Sequence, residues 1–217
     1  MDFTTARRNM VDSQVRTNNV TDMRIQKAML EIAREPFLPS HLKEQAYVER
    51  DIEYSDGRYM MRARDFSKLL AMAAPTQDDV VLNAVCGNGY SSAVLAQLAG
   101  MVMTLEADEA AIAKTESVLS ELGVSNVAVV QASPKDGLRD QGPFDLIFVD
   151  MAIGMRPEEL LGQLRDGGRL AAIVCEGGTS QGVLYQRNGD GISQKSHFDA
   201  ACRTITPDFE AAPAFTF

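Results

Sequence analysis

The 217-residue chain is long enough for one large domain or two small ones, and its hydrophobic fraction of 45% needs no covalent staples to build a core. Its net charge of −9 argues against a nucleic-acid partner, because phosphate binding needs clustered lysine and arginine. Three scattered cysteines and two histidines argue against a disulfide framework or a His-rich metal site, and no run of about 18 apolar residues occurs, so a cytoplasmic protein with no membrane partner is expected.

Residues 1–50 read as helical. Ile25, Ala28, Met29 and Ile32 recur at i, i+3, i+4 and i+7, with Thr21 or Asp22 as a cap and Pro36 and Pro39 as stops. Residues 51–65 read as irregular around an Asp56-Gly57 turn signal, and Phe66, Leu69, Leu70 and Ala73 then repeat the helical spacing up to Pro75. Strands are predicted at 80–85, 101–106, 126–131, 144–150 and 167–175, and helices at 90–99, 108–122 and 156–165. Short apolar strands alternating with helices indicate an α/β protein with a parallel sheet, because parallel neighbours need crossovers. The half-polar stretch 182–199, turning at Asn188-Gly189 and Asp190-Gly191, predicts an antiparallel hairpin, and 212–217 reads as a last strand. The whole chain, 1–217, reads as a single domain: an N-terminal helical segment over 1–75 and a sheet over 76–217.

The stretch "VLNAVCGNGY", 81–90, is the candidate ligand loop. In an open α/β sheet a ligand sits at the carboxyl ends of the strands, where strand order reverses. Gly87 and Gly89 allow close backbone approach there, and the following helix offers free N–H groups. Glu106 ends the next strand 19 residues after Gly87, near the spacing of about 20 at which an acid binds ribose hydroxyls. The plainer alternative is that both glycines make a tight turn and Glu106 is a solvated strand end.

Five stretches carry a resemblance: "RRNMVDSQVRTNNVTDMRIQKAMLEIAREPFLP", "VLNAVCGNGYSSAVLAQLAG", "VMTLEAD", "PFDLIFVD" and "LRDGGRLAAIV". In order and spacing the chain resembles the protein-L-isoaspartate O-methyltransferase family over roughly residues 7–175, most specifically in the N-terminal stretch. The resemblance implies a three-layer, Rossmann-like methyltransferase fold with a mostly parallel seven-stranded sheet, antiparallel C-terminal strands and an N-terminal helical cap. It implies S-adenosylmethionine as cofactor and a protein or peptide isoaspartyl carboxylate as methyl acceptor. Carried onto this sequence, the cofactor-binding loop is Asn83, Val85, Cys86, Gly87, Asn88, Gly89 and Tyr90. Glu106, Ala107 and Ser133 complete the cofactor-binding set.

The departures from the family pattern fall in the same places. Asn83 stands where the family has an acid, Val85 where it has its first glycine, and Ala132 and Ser133 where it has Gly-Asp. Valine strongly disfavours positive φ, so no left-handed turn residue can sit at Val85. In the substrate stretch Tyr59 and Met61 fall at the family's threonine and serine, so neither aliphatic hydroxyl survives. Tyr59 is a candidate replacement donor. Arg58, Arg62 and Arg64 either hold a carboxylate or pair with acidic neighbours. Asp150, at the end of "FDLIFVD", either orients the acceptor or caps a turn. Two functions follow. One is an S-adenosylmethionine-dependent carboxyl O-methyltransferase; the other is a non-catalytic homologue acting as a protein-binding scaffold. A nicotinamide-dependent dehydrogenase is a third, weaker reading.

Overall fold

A computed structural model describes residues 1–85, 87–202 and 205–210. The N-terminal segment holds α1 (Phe3–Met10) and α2 (Met23–Glu31). Asp22 caps α2 by accepting the Arg24 N–H at 2.8 Å, and Ile25, Ala28, Met29 and Ile32 are buried, as their spacing predicts.

The stretch read as irregular is an antiparallel hairpin, β1 (Ile52–Ser55) and β2 (Arg58–Met60), with Ser55 facing Arg58 across Asp56-Gly57. Gly57 takes φ +66°, the left-handed value a two-residue hairpin turn requires. The strands have only four and three residues, and a bulge between Glu53 and Ser55 breaks their alternation, so the sequence carries no strand period there. Then comes α3 (Ala63–Ala73), whose Phe66, Leu69, Leu70 and Ala73 are all buried.

The main sheet follows: β3 (Val80–Val85), α4 (Tyr90–Leu98), β4 (Met101–Glu106), α5 (Glu109–Glu121), β5 (Val127–Gln131), β6 (Phe144–Ile153), a single-turn α6 (Glu158–Leu161), β7 (Leu164–Glu176), β8 (Thr179–Asn188) and β9 (Gly191–Asp199). The strand order is β5-β4-β3-β6-β7-β8-β9, parallel through β7 and antiparallel for the last two. The chain runs outward from β3 through β4 to β5, then returns to the other side of β3 as β6. Strand order therefore reverses at β3 and β6, which opens a crevice beyond their carboxyl ends. All ten residues of β6 are buried, as expected for a central strand covered on both faces.

Three further elements differ from the sequence reading. The predicted helix over 156–165 shrinks to Glu158–Leu161 because β7 already begins at Leu164. Between Leu164 and Arg169 the register to β6 slips, so Gly167 and Gly168 lie in a bulge inside the strand rather than before it. A Cβ on Gly168 would come 2.8 Å from the Phe144 carbonyl, so only glycine fits this close approach. Strand β6 also continues past Asp150 to Ile153. The last strand predicted at 212–217 lies outside the described residues. Among the described residues no helix is long and apolar enough to cross a membrane.

Two buried charges fold the flanking segments onto the sheet's carboxyl edge. Arg34, 1% exposed, donates from Nε to the Ala46 carbonyl at 2.7 Å and from Nη2 to the Met61 carbonyl at 2.8 Å, with its guanidinium 4.9 Å from the Tyr90 ring centre. Asp65, fully buried on α3, accepts the N–H groups of Ala201 (2.8 Å) and Cys202 (2.7 Å). That contact brings the chain after β9 back across the sheet, where Ile205 pairs with Ala152 and the Gly154 N–H reaches the Phe209 carbonyl at 2.9 Å. Arg34→Ala would strand two buried carbonyls. We expect a loss of about 3 kcal/mol in urea unfolding, and a loss under about 1 kcal/mol would mean that the guanidinium does not hold this segment.

Candidate functional site

At the crevice lies a cavity of about 160 Å³. Its floor is built from strand ends: Val85 from β3, Leu105 and Glu106 from β4, Met151 from β6, with Gly87, Ala107 and Pro134 from the loops. Its roof is the β1–β2 hairpin, from Tyr54 and Asp56 to Tyr59, joined by Thr206, Pro207 and Asp208 from the returning chain. A Cβ on Gly57 would lie 3.8 Å from Pro207 Cγ, so the hairpin tip and that segment touch.

Glu106 is the central charge. It is 3% exposed, and its carboxylate is engaged at both oxygens. Oε1 accepts the Asp108 N–H at 3.0 Å, and Oε2 forms an ion pair with Arg58 Nη2 from the hairpin. Val85 lines the cavity as the last residue of β3 and keeps a negative φ; among the described loop residues the left-handed positions are Gly87 (φ +57°) and Gly89 (φ +93°). The β-branched residue thus sits in the extended conformation it favours. A Cβ on Gly87 would meet the Tyr59 carbonyl at 3.3 Å, so hairpin backbone rests directly on the loop.

Of the described residues in the expected set, Asn83, Asn88, Gly89, Tyr90 and Ser133 do not line this cavity. Asn83, fully buried, donates to Ser91 Oγ and Ser92 Oγ, both at 2.9 Å, and Thr104 Oγ1 adds a 2.8 Å bond to Ser92. An amide with two donor hydrogens serves these helix hydroxyls, so the side chain ties β3 to α4. Asn88 Nδ2 donates to the Phe37 carbonyl at 2.9 Å. Gly89 is the N-cap of α4 and is packed closely, since a Cβ there would come 2.7 Å from Thr115 Cγ2. Tyr90 is a core residue, its ring 5.8 Å from Phe37 and 5.4 Å from Phe66. Ser133 is absent from the cavity lining, where its neighbour Pro134 stands instead. Cys86 lies outside the described residues.

The two candidate catalytic residues flank Gly87. Tyr59 lines the cavity, and burial together with the neighbouring Glu53 carboxylate pushes its phenol above the usual value. Asp150 lies beneath the loop, its Oδ2 3.9 Å from where a Gly87 Cβ would sit. It does not end a strand or cap a turn there. The register of β6 against β7 slips between Phe148 and Ala152, and this bulge aims Asp150 under the loop. Burial pushes its carboxyl up to about 7, opposed by a Ser91 hydrogen bond and the Arg34 charge. The three arginines of the hairpin region all hold acids: Arg58 holds Glu106, Arg62 holds Asp51 through contacts of 3.2 and 3.0 Å, and Arg64 holds Asp65 at 2.7 Å. Met61 is 1% exposed and offers no polar group to a substrate. Pro134, Met151 and Thr206–Asp208 escaped the sequence reading. Only the order reversal and the Asp65 anchor bring them here, and neither leaves a local motif.

A doubly covered sheet with this order, an antiparallel final pair, and a glycine loop facing an acid on the adjacent strand define a Rossmann-like α/β fold with a ligand crevice at its order reversal. The family model of protein-L-isoaspartate(D-aspartate) O-methyltransferase (PCMT) matches residues 5–206, and the chain belongs to that family. It is 33% identical over 194 residues to a protein-L-isoaspartate O-methyltransferase of Roseiflexus castenholzii, covering 88% of each chain. It is 32% identical over 206 residues to one of Koribacter versatilis, covering 94% of this chain and 90% of the relative. A solved protein-L-isoaspartate O-methyltransferase superposes with a TM-score of 0.78 at 22% identity, covering 94% of this chain and 67% of that one, which shows a shared fold.

Asp150 gives a pH signature. An aspartate in the unfolded chain ionises near 3.9, whereas the folded protein holds this one protonated up to about 7. The folded state therefore binds the extra proton between those values, and stability falls as pH rises from about 4 to about 7, then levels. Asp150→Asn removes that slope. The variant is expected to exceed the parent by on the order of 4 kcal/mol in urea unfolding at pH 8 and to match it near pH 4. An equal difference at both pH values would contradict this account of Asp150.

Proposed function

We propose that the chain is an S-adenosylmethionine-dependent carboxyl O-methyltransferase that acts on a protein or peptide carboxylate in the cytoplasm. The observation that carries this reading is the buried Glu106 carboxylate, which faces the same cavity as Val85 and Gly87 at the order reversal of the sheet. A carboxylate there accepts both hydrogen bonds of a ribose diol. The lining fits the cofactor in chemistry: Leu105, Pro134 and Met151 offer apolar contact to a flat base, and Gly87 lets backbone approach. The proposed cofactor-binding set is Val85, Gly87, Glu106 and Ala107. S-adenosylmethionine, when bound, supplies a methyl group on a sulfonium.

A carboxylate acceptor is already ionised at neutral pH, so no general base is required. What the chain must do is exclude water and hold the acceptor oxygen in line, which is a proximity effect. The hairpin and Thr206–Asp208 form a roof suited to excluding water. Positioning is where this chain departs from its family. Tyr59 stands beside Glu53, Met61 is buried, and Arg62 and Arg64 are committed to Asp51 and Asp65. Turnover of an ordinary isoaspartyl peptide is therefore expected to be slow.

One observation favours the scaffold reading: the roof leaves about 160 Å³, below the roughly 300–1,000 Å³ of typical ligand clefts. Calorimetric titration with S-adenosylhomocysteine separates the two. We expect binding in the micromolar range, and transfer of labelled methyl to an isoaspartyl peptide at least about 100-fold below ordinary enzyme turnover. No heat at millimolar ligand would favour the scaffold, and turnover of about 1 per second or faster would refute the positioning account.

A further inference from the structure

The hairpin tip and its root are built differently. At the root, Ile52 and Met60 are each 3% exposed, and Asp51 accepts both the Arg62 backbone N–H (2.9 Å) and its guanidinium. At the tip, Ser55, Asp56 and Gly57 are exposed. Between them stands Arg58, whose guanidinium crosses the cavity to Glu106, with its side chain 33% exposed against 2% for Glu106. The root is pinned by apolar burial, and among the described residues the tip meets the cavity through the Arg58–Glu106 pair and a light contact with Pro207.

We propose that Arg58 is a latch that competes with the ligand for Glu106. Its N–H groups satisfy the carboxylate oxygen to which a ribose diol would otherwise donate, and the same contact seats the roof that shrinks the cavity. Ligand binding then exchanges one set of donors for another and lifts the tip about a fixed root. A carboxylate this deeply buried always needs a partner, so the pair is self-replacing rather than simply broken. Apparent affinity falls by the fraction of molecules with the latch open. The inference rests on the cofactor reading above for the identity of the ligand, but the latch itself is a property of the hairpin.

The test uses the full chain, S-adenosylhomocysteine titration and hydrogen exchange of amides 52–60 without ligand. Arg58→Ala is expected to tighten binding at least about 10-fold and to speed exchange at the tip. Arg58→Lys, which keeps the charge, should stay within about threefold of the parent. Raising salt should tighten binding to the parent and leave the alanine variant unmoved, because salt weakens the partly exposed pair. Equal or weaker binding by Arg58→Ala overturns the proposal. If neither protein binds ligand, tip exchange decides: faster exchange in the variant supports the latch and places the failure on the cofactor reading, whereas unchanged exchange overturns the latch.

Discussion

A carboxylate sits almost out of reach of water at the end of β4, and everything around the cavity answers to it. Removing an ionised group from water is costly unless hydrogen bonds replace the lost solvation. Glu106 receives one bond from the Asp108 N–H, fixed by the start of α5, and another from Arg58. The first comes with the fold. The second depends on a short hairpin that has no place in the main sheet and lies over the strand ends. The paired arginine thus answers one electrostatic demand, and the same contact ties the hairpin over the cavity.

The substitutions that distinguish this chain from its family divide into two physical kinds. Asn83 and Val85 are absorbed by the scaffold. Asn83 joins a hydroxyl network under α4, and Val85 continues β3 in extended backbone, leaving positive φ to Gly87 and Gly89. Neither removes a group from the cavity. Tyr59 lines the cavity beside Glu53 and Met61 is buried, so neither offers an aliphatic hydroxyl, and the nearby arginines already hold acids. Asp150 belongs to neither kind. It is a buried acid aimed by a bulge beneath the glycine loop, with one oxygen lacking a hydrogen-bond partner among the described residues.

The core of the fold was legible because its signals are periodic. Ile25, Ala28, Met29 and Ile32 mark a helix face, and the apolar runs at 80–85, 101–106 and 144–150 mark covered parallel strands. The spacing from Gly87 to Glu106 is one crossover long, and the two residues line the same cavity. The hairpin was missed since three- and four-residue strands with a bulge have no measurable period. Side-chain direction was the other loss. Sequence order cannot tell whether Asn83 and Asn88 face a ligand or a neighbouring helix, and both face packing partners. Arg58 was visible as a cation, but its partner lies 48 residues away and is reached only through the fold.

The most direct measurement is a crystal structure of the protein grown with S-adenosylhomocysteine. The account predicts both ribose hydroxyls at about 2.7 Å from the Glu106 carboxylate, with the Arg58 guanidinium displaced and the hairpin tip raised over an unchanged root. A ligand bound elsewhere, or an adenosyl group seated on the strand ends with Arg58 still on Glu106, would contradict it.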